Sequence, residues 1–168
     1  QLMVNSSLRG VTVDLPAPST ADVVRVDTAA QMDEAVRAVA SAADVIVMAA
    51  AVADFRPATV ASTKLKKRDG APEIVLEPTV DILAGLGERK RPGQTVVGFA
   101  AETDRVRQNA TSKLVAKGAD LIVANDVTAA GAGFEHDTNS VVIMHADGTE
   151  REVPLADKRV IARSVFDA

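Results

Sequence analysis

Five basic side chains, Arg56, Lys64, Lys66, Lys67 and Arg68, stand between Phe55 and Arg68 with no carboxylate among them. They follow an apolar run, Val45-Ile-Val-Met48, that opens onto Ala49, Ala50 and Ala51 and then onto Asp54. Small residues at a strand end let a ligand approach the backbone, whose N–H groups can bond phosphate or carbonyl oxygens. Asp54 can face a Mg²⁺ that bridges phosphates, accept hydrogen bonds from a ligand, or simply pair with Arg56. A lysine on a long loop can close over a polyphosphate and neutralise charge developing on a transferred group. The same lysines also fit a solvated charge run. The pattern is that of a polyanion site at the carboxyl edge of a parallel sheet.

A second segment repeats the arrangement. Thr95-Val-Val-Gly-Phe99-Ala-Ala-Glu102-Thr103 runs from apolar residues to a ring and then to small residues. Phe99 can pack on a base or belong to the core, and Glu102 or Thr103 can cap the following helix. Lys113 and Lys117, four apart, share one helix face, and their place near a helix C-terminus is explained by the dipole alone. Two histidines, His136 and His145, are too few for a dedicated His-metal site, and neither has a Ser or Cys partner at triad spacing.

The elements that must hold these residues alternate. Strands are expected at Val11–Val13, Val23–Val26, Asp44–Met48, Pro72–Leu76, Thr95–Phe99 and Asp120–Ala124. Helices are expected over Ala29–Ala42 behind a Thr28 cap, over Val80–Leu86 ending near Gly85 or Gly87, over Thr103–Ala116 with Gly118 just past its end, and over Ala156–Asp167. Ala49–Asp69 reads as loop, and the residues from Asn125 to Phe134 as a Gly-rich one. Ser140–Met144 and Glu150–Val153 form a hairpin about Asp147-Gly148. This order predicts an α/β domain: a three-layer, Rossmann-like, mostly parallel sheet with helices on both faces and an antiparallel hairpin at one edge. One domain is expected over residues 1–168, and the opening βα unit of such a fold is not evident in the sequence.

Composition agrees with that class. The chain has 168 residues, 47% of them hydrophobic, with four Phe and no Trp or Tyr, so the core must come from Val, Leu, Ile and Ala, as in sheets buried on both faces. With no Cys there is no thiolate nucleophile and no Cys-ligated metal. A net charge of −4 speaks against non-specific nucleic-acid binding, and no apolar run reaches the roughly 20 residues of a membrane helix. Residues 1–7 lack the charged head and apolar run of a signal peptide, and a cytoplasmic location is expected. Neither a G-x-x-x-x-G-K-[ST] nor a G-x-G-x-x-G motif occurs.

Six ordered segments carry a resemblance: Ala49–Pro57, Lys64–Lys67, Val80–Leu83, Val96–Thr103, Lys113–Asp126 and Gly133–Asn139. Together they resemble bacterial phosphopantothenoylcysteine synthetase, from about Asp14 to the end of the sequence. The resemblance implies a CTP-dependent ligation in coenzyme A biosynthesis, joining 4′-phosphopantothenate to L-cysteine through an acyl-cytidylate, with Mg²⁺ assistance. It implies CTP contacts at Met48, Ala49, Ala50, Asp54, Lys64, Val80, Asp81, Ile82, Leu83, Phe99, Lys113 and Lys117. Lys64 is implied as the catalytic lid lysine, and Ala50 and Ala51 as lining the substrate crevice; the metal site is left open, with Asp54 a candidate through phosphates. A homodimer is implied too, with fusion to a flavin-dependent decarboxylase that would hold any FMN. Thr79-Val80 departs from the Asn-Pro or Thr-Pro usual in the family. The family's Gly-Gly-Thr and Asn-x-Ser-Ser-Gly-Lys segments are lacking, with only Asn5–Gly10 near the latter, so part of the substrate site is expected outside this stretch. The alternatives are a nucleotide-binding α/β domain without ligase activity and, third, a Rossmann-type reductase.

Overall fold

A computed structural model of the chain describes residues 2–6, 21–67, 70–128 and 136–168, which divide into two compact units. Residues 1–36 and 51–81 belong to the first unit, and residues 37–50 and 82–168 to the second. The expected strand at Val11–Val13, Arg68 of the basic cluster and the Gly133-Phe134 part of the Gly-rich loop lie outside the described residues.

In the first unit β1 (Leu2–Ser6) pairs in parallel with β2 (Asp22–Val26), Leu2 opposite Asp22 and Ser6 opposite Val26. The sequence did not announce β1. Helix α1 (Ala29–Ala40) begins at the Thr28 cap: Thr28 Oγ1 accepts from Gln31 N at 3.2 Å, and Gln31 Oε1 accepts from Asp27 N at 2.8 Å. This is the Thr-x-x-Gln form of the capping box. Inside the expected loop, β4 (Phe55–Pro57) forms a short antiparallel pair with β5 (Leu76–Pro78). Arg56 pairs with Glu77 at 2.7 Å, not with Asp54.

The second unit holds a five-stranded sheet in the order β3-β6-β7-β8-β9. Strands β3 (Val45–Met48), β6 (Thr95–Glu102) and β7 (Leu121–Asp126) are parallel, and the β8 (Thr138–His145) and β9 (Glu150–Asp157) hairpin extends it antiparallel at one edge. Strand alternation sends Val97, Leu121, Val123, Val141, Ile143 and Val153 to one face, where they pack with Ile161 and Val165 of α4 (Lys158–Phe166). Gly98, Ala100, Ile122 and Ala124 turn to the other face, which meets α2 (Ile82–Arg89) and α3 (Val106–Lys117). The expected mostly parallel α/β architecture, with its antiparallel edge and helices on both faces, is what forms.

Helix α2 starts two residues later than expected and runs through Gly85 and Gly87 instead of ending there. Gly87 sits against the main chain of Lys117 and Gly118, so it serves close helix packing and not termination. Gly118 ends α3 in the left-handed region at φ 59°, as read from the sequence.

Candidate functional site

Register explains the open carboxyl edge. β3 stops at Met48, level with Gly98, while β6 runs on to Glu102. Phe99–Glu102 therefore have no strand partner on the β3 side among the described residues, and the exposed Ala49 and Ala50 follow at that level. Phe99 is 36% exposed.

Gly98 faces α2: a methyl group there would lie 2.5 Å from Leu83 Cδ2 and 2.8 Å from Ile122 Cδ1. Only glycine lets Leu83 settle on the sheet. Ile82 beside it is buried. Because side chains alternate, Phe99 leaves the sheet on the face opposite Leu83, so these two candidates share a strand level but not a side.

On the α3 face the candidate Lys113 is joined by residues the sequence did not single out as a set. Glu102, with only 10% of its side chain exposed, meets the Lys113 ammonium at 2.7 Å through Oε1. Its Oε2 accepts from Asn109 Nδ2 at 2.8 Å, and the same amide donates to the Asp104 carbonyl at 3.0 Å. Burial pushes the Glu102 carboxyl up, but the adjacent Lys113 ammonium and the hydrogen bond from Asn109 outweigh it, and its pKa lies below the ordinary glutamate value. The intervening turn carries Arg105 at φ 42° with no side-chain cap bond. The helix itself is held to the edge hairpin by Arg107, bonded to Glu150 at 3.1 Å and to Glu152 at 2.8 Å. Lys117 is half-buried in the last turn of α3, next to Gly87.

At the amino edge Asp120 plays a framing role. Its Oδ1 meets Lys90 Nζ at 2.6 Å and its Oδ2 accepts from Val96 N at 2.8 Å. Buried Gln94 donates to the carbonyls of Ala40 and Ala43 at 2.7 and 2.6 Å, fixing the approach to β3.

In the first unit, Asp54 is exposed and is brought beside Val80 and Asp81 by Thr79, which donates from N to the Asp54 carbonyl at 2.9 Å and from Oγ1 to the Ala53 carbonyl. Ala51, Val80 and Asp81 are exposed as well. The whole of Lys64–Lys67 is exposed, and its three lysines form no ion pair among the described residues. No group of three or more metal-ligating side chains forms among the described residues.

Comparison with known proteins follows the same lines. Residues 7–168 match the family model described as the DNA/pantothenate metabolism flavoprotein C-terminal domain. The coenzyme A biosynthesis bifunctional protein CoaBC of Bacillus subtilis is 51% identical over 148 residues, which cover 88% of this chain and 36% of that protein. The chain thus spans little more than a third of that relative's length. The solved C-terminal domain of a CoaBC protein is 37% identical, with a TM-score of 0.77 over 99% of this chain and 70% of that one. A Cab2 variant in complex with phosphopantothenate-cysteine shares the fold, with a TM-score of 0.64 at 18% identity over 88% of this chain and 52% of that one. The family match over nearly the whole sequence, and the agreement in fold, place this chain among the DNA/pantothenate metabolism flavoprotein C-terminal domains.

Proposed function

We propose that this chain is a CTP-dependent phosphopantothenate–cysteine ligase acting in coenzyme A biosynthesis. The observation that carries the reading is the carboxyl edge of β3 and β6: an alanine-lined strand end, with an exposed ring at Phe99 on one face of the open stretch of β6 and Lys113 of α3 on the other. Open α/β sheets bind ligands at this edge. The names of the relatives, coenzyme A biosynthesis bifunctional proteins, support the pathway.

In the first step a carboxylate oxygen of 4′-phosphopantothenate attacks the α-phosphorus of CTP. A P–O bond forms, the α–β phosphoanhydride breaks, and pyrophosphate leaves. In the second, the cysteine amine attacks the acyl carbon, the new C–N bond replaces the acyl–phosphate bond, CMP departs and the amine loses its proton. Neither step requires a tuned acid–base pair; both need alignment and neutralised phosphate charge. Lys64 is assigned to the charge that develops at the α-phosphate. Lys113 and Lys117 contact the triphosphate, with Mg²⁺ entering on the nucleotide opposite Asp54. Met48, Ala49 and Ala50 let the nucleotide approach the backbone, and Ala50 and Ala51 border the acyl substrate. Phe99 is assigned to the cytosine from its own face of the sheet, and Val80 to Leu83 are assigned to it through main-chain groups, since the Leu83 side chain is turned onto Gly98 on the opposite face.

The same reading includes a homodimer, supported by the exposed apolar residues Phe55, Ile74, Val75 and Leu76 around the β4–β5 pair. It also includes a flavin-dependent decarboxylase elsewhere in the full-length protein, which would hold the FMN, and a cytoplasmic location. Among the described residues no helix is long and apolar enough to cross a membrane. Thermal shift with CTP, ATP and NADH tests the nucleotide assignment. Preferential stabilisation by CTP is expected, whereas preference for NADH would favour a reductase instead.

A further inference from the structure

Glu102 is the last residue of β6, level with Asp126 of β7, and it is a charged side chain almost withdrawn from water. Its Oε1 is buried and makes no aligned hydrogen bond, so the Lys113 charge is what compensates it. Its two carboxylate oxygens meet Lys113 and Asn109 of α3, and its carbonyl accepts from Val127 N at 3.0 Å. The turn from Glu102 into α3 passes through the left-handed Arg105 and is tied again by Asn109. The end of β7 is thus bonded to the main chain of Glu102, and α3 to its carboxylate.

Seating α3 on the sheet does not need this ion pair. Ala110 and Leu114 already do so, at 0% and 7% exposure. A buried pair is also a weak source of stability compared with apolar packing. What it supplies is location. A lysine has a flexible four-carbon stem, and its ammonium carries three donors. The ammonium is held as an ion pair 2.7 Å from Glu102 without an aligned hydrogen bond, while 44% of the Lys113 side chain remains open to solvent.

We propose that Glu102 is a positioning residue for the nucleotide, fixing the Lys113 ammonium by its charge at the carboxyl edge of β6 with its donors presented to a triphosphate. This rests on the reading of Lys113 as a nucleotide contact and deepens it. Removing rotamer freedom from an interacting side chain before binding raises affinity. Glu102 therefore acts on nucleotide affinity and leaves the chemical step to other groups.

A double-mutant cycle in the intact protein tests this, with CTP affinity from calorimetry and KM and kcat from turnover. Glu102→Gln should raise the Kd and KM for CTP by about tenfold while leaving the KM for phosphopantothenate and for cysteine unchanged. Lys113→Ala should weaken CTP at least as much, and the double variant should be no weaker than Lys113→Ala alone, because the two act as one unit. Losses that multiply in the double variant, or wild-type CTP affinity in Glu102→Gln beside a weakened Lys113→Ala, overturn the positioning role and leave the nucleotide reading standing. Wild-type CTP affinity in Lys113→Ala overturns both. Should Glu102→Gln fail to fold, Asn109→Ala decides, since it removes only the second anchor of the carboxylate. Weaker CTP binding at unchanged kcat supports the proposal, and unaltered CTP binding defeats it.

Discussion

Gly87 of α2 lies directly against the carbonyl of Lys117 in the last turn of α3. Two helices that follow different strands are brought into main-chain contact there, at the end of α3 that carries a proposed nucleotide lysine. A side chain at position 87 would meet backbone, which cannot swing aside. Gly87→Ala should therefore destabilise the protein by about 3 kcal/mol, read as a drop in denaturation midpoint, and should weaken CTP binding through displaced Lys117. An unchanged midpoint would mean that the helices are not in contact.

Arg105 offers the opposite case. It alone among the described non-glycine residues has a positive φ, at 42°. Its guanidinium has one partner in the ion-pair geometry, exposed Asp104 at 3.4 Å, which contributes little. Arg105→Gly should relieve the left-handed strain and stabilise the protein by about 0.5–1 kcal/mol after the entropic cost of glycine. A loss of stability in chemical denaturation would show that Arg105 makes a contact worth more than the strain.

The pKa of Glu102 gives a signed pH dependence. A carboxyl whose folded value is depressed stabilises the native state above its unfolded value, about 4.3, and that stability is lost as pH falls through the lower folded value. Wild-type protein should lose stability on acidification across this window more steeply than Glu102→Gln. Parallel pH–stability curves for the two proteins would count against a charged Glu102–Lys113 pair in the native state.

Much of this was legible. Val45–Met48, Thr95–Phe99 and Asp120–Ala124 declare parallel strands through their apolar runs, though Val45 and Val47 are exposed where a buried strand was expected, and Gly118 marks a helix end because αL geometry favours glycine. Gly85 and Gly87 misled, since a glycine required by a neighbouring helix looks the same as one that ends its own. Leu2–Ser6 and Phe55–Pro57 were missed because one is short and ends in polar residues and the other is three exposed residues including Pro57. The Glu102–Lys113 pair joins a strand to a helix, and no periodicity in the sequence signals such a contact. Lys113 was explained from the sequence alone by the helix dipole; its carboxylate partner became visible only in the fold.

Phe99 separates a ligand contact from core. It is partly exposed where its neighbours Val97 and Ala100 are buried. Phe99→Ala should weaken CTP by about tenfold, the scale of one base–aromatic contact, and change phosphopantothenate affinity less. Equal losses for both substrates would assign the ring to general packing.

Lys64 is the lysine assigned to the charge that develops at the α-phosphate. It is exposed, so Lys64→Ala should leave stability within about 0.5 kcal/mol of wild type. The direct measurement is pyrophosphate release from CTP by the intact protein with phosphopantothenate and no cysteine, followed by CMP release when cysteine is added. A burst of pyrophosphate is expected in the wild type, reduced by at least about 100-fold in Lys64→Ala, with turnover to CMP restored by cysteine in the wild type only. Absence of CTP-dependent pyrophosphate release from the intact wild-type protein, or an undiminished burst in Lys64→Ala, would contradict this assignment.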